Sequence, residues 1–125
     1  MRGDNMSQYE CLNDEAIDLE MANVKNIIDT NIVEGKADIF KVLGDLNRIK
    51  IVELLAHYKQ LCVYEISRFI DASVATTSHH LITLRNSGVI TSEKHGKRVV
   101  YALENEEVMS LLDVAKDISM MTEKV

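Results

Sequence analysis

A mostly α-helical fold carrying one small β-hairpin is what this chain of 125 residues predicts, and three observations carry the prediction. Proline and tryptophan are absent and only 5 residues are glycine, so the turn-rich composition of a sandwich or barrel is missing. Apolar residues recur at helical spacing along most of the chain. Strand-like runs are confined to VIT and VVYAL, within residues 89–103. With 46% apolar residues the chain can bury one core, which predicts a short N-terminal arm over 1–12 and a single domain over 13–125.

Residues 14–28 are predicted helical, because Ile17, Met21, Val24 and Ile28 make one apolar stripe and Asn13 or Asp14 can cap the first turn. KADIFKVL, 36–43, predicts a short helix that Gly44 ends. LNRIKIVELLAH, 46–57, is apolar on several sides, as a buried central helix should be. VYEISRFI, 63–70, places Val63, Ile66 and Ile70 on one face. After the break DAS, VATTSHHLITLRNS (74–87) predicts a second helix closed by Gly88. Two short helices joined by three or four residues suggest a helix-turn-helix. Beyond Gly88 the order VIT, SEKHGKR, VVYAL predicts strand, basic turn around Gly96, strand: a hairpin or wing. Val108, Leu111, Leu112, Ala115 and Ile118 predict a last helix over 106–121.

The formal net charge of −6 hides a local reversal. Residues 1–72 hold 8 basic and 13 acidic side chains, residues 73–103 hold 4 and 1, and residues 104–125 hold 2 and 6. An acidic body with one basic surface suits a protein that meets phosphate on one face only. No run of eighteen apolar residues exists and MRGDNMSQYE lacks the apolar stretch of a secretory signal, which predicts a cytoplasmic protein with no membrane partner. The two cysteines, Cys11 and Cys62, form no small disulfide framework and are expected as thiols.

ATTSHHL, 75–81, packs three hydroxyls and two imidazoles into seven positions. At 100° per residue, Val74, Thr77, Leu81 and Leu84 cluster on a side expected to pack inward. Thr76, His79 and Thr83 lie opposite, with Ala75 and Asn86 beside them, and that short uncharged face suits the mixed donors, acceptors and methyls of a major groove. A metal site is disfavoured because His79 and His80 are neighbours, whereas two ligands on one helix normally sit three or four positions apart. Catalysis lacks a matched carboxylate, a phosphate loop or a triad-like context, so no enzyme is expected. His79 is expected to meet the groove, against the alternative of an ordinary surface imidazole. His80 is expected to be a flank residue hydrogen-bonded to a neighbouring helix. The wing supplies charge through Lys94, His95, Lys97 and Arg98, for which phosphate contact is expected and a solvated hairpin is the bland alternative. The full DNA-facing set is Ser73, Thr76, Thr77, Ser78, His79, Thr83, Arg85, Lys94, His95, Lys97 and Arg98. Within it Ser73, Ser78, Arg85 and the wing cations are expected to face the backbone.

Residues 42–103, through VLGDLNRIKIVELL, QLCVYEIS, SVATTSHHLITLRNSGVI and the wing, resemble the ArsR/SmtB winged helix-turn-helix repressors. The N-terminal extension with Cys11 is most similar to the cadmium- and lead-responsive CadC/CadX branch. The resemblance implies a homodimer on operator DNA, released when a metal such as Cd²⁺, Pb²⁺ or Zn²⁺ binds. Dimerisation also has a reading of its own. The first and last helices each carry an apolar stripe that a small domain cannot easily bury, unless both simply complete the intrachain core.

The family's thiolate site resembles a Cys-x-Cys opening the first helix of the helix-turn-helix, joined by cysteines of the partner's arm. Here Cys62 holds the first place, Tyr64 the second, and the arm offers Cys11 alone. Cys62 precedes a helix N-terminus, where the dipole favours thiolate. A soft ion held there would take Cys62, Cys11 of the partner, and oxygen or nitrogen from Asp14, Glu10, Glu65 or His57. Cys62 as a small half-buried hydrophobe is the competing reading. The family's second site, on the final helix, needs histidine, and residues 104–125 contain none. Asp113 and Asp117 are expected on an ordinary solvated face. A repressor governed by oxidation of the two thiols, one without a sensor, and a winged-helix protein-interaction module remain as alternatives. DNA binding that weakens steeply with salt would exclude the last of these.

Overall fold

The computed structural model describes residues 8–122. They run α1 (Asp14–Ile27), α2 (Thr30–Leu43), α3 (Leu46–Tyr58), β1 (Leu61–Cys62), α4 (Val63–Ile70), α5 (Val74–Asn86), β2 (Ile90–His95), β3 (Arg98–Leu103) and α6 (Glu107–Thr122). The chain divides into two compact units, Met1–Ala37 and Asp38–Val125. Residues 1–7 of the expected arm lie outside the described residues.

In the first unit, the Asn13 side chain accepts from the Ala16 N–H at 2.8 Å and caps α1. The α1 helix buries none of its residues, and its stripe stands exposed at Ile17 (44%), Met21 (47%) and Val24 (37%). Asp29 Oδ1 takes the Asn31 and Ile32 N–H groups at 3.1 and 3.4 Å, so α2 begins at Thr30, before the expected start at 36. Gly35 lies inside it: a single glycine in a helix costs about 1 kcal/mol against alanine, too little to end a helix that is capped upstream.

The second unit is built around α3. Ile51, Val52 and Leu55 meet Ile66 and Ile70 of α4 and Leu81 and Leu84 of α5, with Leu43, Leu61, Val89 and Ile90 closing the core. Val108, Met109, Leu111 and Leu112 of α6 pack against it. Asp45 caps α3 by accepting the Arg48 N–H at 3.1 Å. Between α4 and α5 the chain turns through Asp71 (φ 55°), and the Ala72 N–H reaches the Ser67 carbonyl at 3.0 Å. Ser73 then caps α5, its Oγ accepting the Thr76 N–H at 3.0 Å.

The antiparallel sheet has the order β1-β3-β2. Sequence reading missed β1, whose two residues pair Leu61 with Tyr101 and Cys62 with Val100. A two-residue strand has no alternation to detect, and tertiary pairing alone creates it. The wing strands are longer than expected. His95 pairs with Arg98, leaving Gly96 and Lys97 as the loop, with Gly96 at φ 63° as the first position of a tight hairpin wants. Lys94, His95 and Arg98 therefore stand on strands, because a solvated hairpin tolerates polar residues on its faces.

Candidate nucleic-acid interface

The cap at Ser73 fixes where α5 starts, and the burial of Leu81 and Leu84 (both 0% exposed) fixes its rotation. Thr76, His79, Arg85 and Asn86 are left exposed, with Ser78 and Thr83 half-buried. Thr83 Oγ1 donates to the His79 carbonyl at 3.2 Å, which orients the hydroxyl and leaves it free to accept. Ser73 uses its oxygen in the cap, so its O–H remains a donor at the helix N-terminus.

Two expectations for α5 are corrected. Thr77 is fully buried, so it belongs to the inner face and cannot present its hydroxyl to a groove. Val74 was expected inward but is 47% exposed, because it is the first residue of the helix and precedes the turn that reaches the core. Sequence reading also passed over Ile82, which is 48% exposed. It stands seven positions beyond Ala75, on the stripe 75, 79, 82, 86, and that spacing was the signal. An exposed aliphatic group there suits a thymine methyl.

The wing brings Lys94, His95, Lys97 and Arg98 to one exposed tip. Strand alternation and register put Lys94 and Val99 on one face of the hairpin, and His95, Arg98 and Glu93 on the other. His95 Nε2 lies 3.6 Å from Glu93 Oε1. Arg98 also lies near Glu65, whose carboxyl is held below its ordinary range by the Cys62 N–H, then by the Cys62 thiol and by Arg98.

Cys62 is buried at 7% exposure and forms the N-cap position of α4, its N–H donating to Glu65 Oε1 at 2.9 Å. Cys11 is exposed, in the first unit. Of the further donors considered for a metal, Glu65 is engaged at the α4 cap and His57 is exposed with its ring edge-on to Tyr58. Among the described residues no group of three or more His, Cys, Asp or Glu side chains is placed to hold a metal ion. Among the described residues, then, neither unit by itself holds a ready-made soft-metal chelate.

The family of bacterial regulatory proteins called the arsR family matches residues 45–92, from the cap of α3 into β2. The cadmium resistance transcriptional regulatory proteins CadC of Listeria innocua and of Lactococcus lactis are each 41% identical over 107 residues, covering 86% of this chain and 87% of theirs. The chain belongs to the ArsR family. The Escherichia coli arsenical resistance operon repressor is 42% identical over 65 residues, 52% of this chain and 56% of that one. A solution structure from Mycobacterium bovis, described as a homodimeric winged helix-turn-helix DNA-binding domain, superposes with a TM-score of 0.68 at 22% identity over 78% of this chain and 89% of that one.

The ArsR-family fold is therefore the winged helix-turn-helix that sequence predicts, with α4–turn–α5 as its helix pair and β2–β3 as its wing. Family and fold are those of DNA-binding transcriptional regulators, which are not enzymes. Among the described residues no helix is long and apolar enough to cross a membrane.

Proposed function

We propose that this ArsR-family chain is a homodimeric repressor whose α5 enters the major groove of operator DNA while the β2–β3 wing holds the backbone, and which a soft metal ion (Cd²⁺, Pb²⁺ or Zn²⁺) releases. One observation carries the reading of DNA contact: the uncharged ridge of exposed Thr76 and His79 and half-buried Thr83 stands on a capped helix next to a wing carrying Lys94, Lys97 and Arg98, in a chain that is acidic elsewhere. Such a ridge reads base edges and such a wing meets phosphates. Ser73, Ser78, Arg85 and His95 complete the backbone-facing set.

The homodimer is supported by exposed apolar residues on α1 and on α6, Val114 (55%) and Met121 (68%) among them, and by the homodimeric relative. Two copies of α5 would then meet half-sites about one DNA turn apart.

Metal response is supported by the cadmium and arsenical resistance names of the relatives. In this reading Cys62 supplies one thiolate and Cys11 of a second copy another. The place of Cys62 makes it an effective lever: it opens α4, which aims α5, and it pairs with Val100 on the wing strand β3. If metal and DNA prefer different arrangements of these elements, each must weaken the other by the same factor.

The test is a duplex selected by the chain from a randomised pool, titrated with and without Cd²⁺, Pb²⁺ or Zn²⁺. Release by metal that is lost in Cys62→Ser is the expected result, and equal metal affinity with and without the duplex would overturn the linkage. Tyr64, and the lack of a three-donor group among the described residues, favour a second reading, a repressor that senses thiol oxidation or nothing at all. Release that survives Cys62→Ser would select it.

A further inference from the structure

Besides His80, α5 buries Leu81, Leu84 and Thr77, and the contacts of those three are poorly directional. Leu81 and Leu84 are aliphatic, and Thr77 Oγ1 is buried with no hydrogen-bond partner among the described residues. The remaining side-chain hydrogen bonds of α5 stay local: Ser73 to Thr76, Thr83 to His79, Ser87 to Thr83. Among the described residues, one side chain of α5 makes a polar contact to another element. His80, 9% exposed, receives Arg48 Nη1 at its Nδ1 at 3.3 Å and holds its Nε2 3.9 Å from Asp45 Oδ1.

Arg48 and Asp45 are themselves fixed. Arg48 Nε donates to the Val42 carbonyl at the end of α2 at 2.6 Å, and Asp45 Oδ1 accepts the Arg48 N–H as the cap of α3. Gly44, just before Asp45, is tightly placed: a Cβ there would stand 3.0 Å from the Phe40 carbonyl oxygen. His80 is thus anchored to the α2–α3 junction, a platform held by backbone contacts.

We propose that His80 is a positioning residue for DNA recognition: through Arg48 and Asp45 it sets the rotation of α5 about its own axis, and so the direction in which Thr76, His79 and Thr83 point. This rests on the reading of α5 as the groove helix. The lever is large. A side-chain tip about 5–6 Å from a helix axis moves by about 2 Å for a 20° turn, which exceeds the tolerance of a hydrogen bond to a base edge. Phosphate contacts by the flexible lysines of the wing absorb such a shift. Loss of the anchor therefore reduces sequence discrimination more than general affinity. The hydrogen bond from Arg48 requires an acceptor at Nδ1, which assigns the proton to Nε2, towards Asp45.

The experiment compares His80→Asn, whose amide oxygen takes the place of Nδ1, with His80→Gln, whose oxygen lies out near Nε2, and with His80→Leu, which has none. Each full-length variant is titrated with the selected duplex and with a scrambled duplex of equal length at one salt concentration. Folding is checked by circular dichroism. Gln and Leu are expected to lose about tenfold in discrimination, with affinity for the scrambled duplex within about twofold, while Asn retains most of it. Equal behaviour of Asn and Gln, or equal losses on both duplexes, overturns the proposal. If Leu fails to fold, the Asn–Gln pair decides. His79→Ala and Thr76→Ala separate the two claims. If both keep full discrimination, the groove reading fails and takes this inference with it. If they lose it while His80→Gln does not, the positioning role alone is wrong.

Discussion

Neutralising the wing in the double variant Lys94→Gln, Lys97→Gln should change how strongly DNA binding depends on salt. Lys94 stands on β2, Lys97 in the two-residue loop, and both are exposed and without an ion pair among the described residues. Among the described residues neither charge is engaged, so both are available to phosphate. Arg98, by contrast, shares its charge with Glu65. Two phosphates per protomer make four per dimer, and each neutralised phosphate contributes about −0.9 to the slope of log affinity against log salt, so the slope should become shallower by about 3 to 4. Between 50 and 200 mM salt the advantage of the parent chain over the variant should shrink by about 10²-fold. Fluorescence anisotropy with the selected duplex across that range measures it directly. His79→Ala is the control: it should lower discrimination and leave the slope unchanged. An unchanged slope in the double variant would refute the assignment of the wing to the backbone.

Thr77→Val should raise stability by about 1 kcal/mol, because it removes a buried hydroxyl that has no partner among the described residues, and should leave operator affinity within about twofold; a lower melting temperature would contradict this. Ser73→Ala should destabilise the chain by about 1 kcal/mol through the lost α5 cap. Ser73→Asp should keep the cap and the melting temperature yet bind DNA more weakly, since it puts a negative charge where phosphate is expected; unchanged DNA affinity would show that this helix end does not face the backbone. The carboxyl of Asp45 is held below its ordinary range, chiefly by the Arg48 N–H, with the Arg48 guanidinium and the Asn47 N–H adding to it. A depressed folded-state value adds stability that is present above the unfolded value, near pH 4, and lost as pH falls through the folded one. Asp45→Asn keeps a capping oxygen but not this charge, so the gap in melting temperature between parent and variant should be open at pH 6 and close below pH 4; a gap independent of pH would refute the assignment.

The helices were legible because their signals are local. Asn13 announces the first helix by its cap chemistry, and the apolar spacing of Ile66, Ile70, Leu81 and Leu84 fixes which faces turn inward. The expected helix began at Lys36, whereas Asp29 caps α2 upstream and Gly35 lies inside it. The β1 strand exists only through its pairing with β3, a contact some forty residues away that no local pattern encodes. At the site, wheel geometry located the ridge Thr76, His79 and Thr83 and put Thr77 inside, while the stretch of hydroxyls tempted an assignment of Thr77 to DNA that its burial corrects. That His80 would bond a neighbouring helix was foreseeable. That its partner is Arg48, itself tied to the end of α2, follows only from the packing. The proposed metal donors have no such local signal: among the described residues no three stand together, and a set shared between copies would leave no pattern within a single sequence.

A co-crystal of the chain with the duplex it selects tests the central claim most directly. The account predicts α5 lying in the major groove at two half-sites about one turn apart, with Thr76, His79 and Thr83 against base edges and Lys94 and Lys97 against the flanking phosphates. A complex in which that face of α5 is buried between subunits, with DNA bound elsewhere, would contradict it.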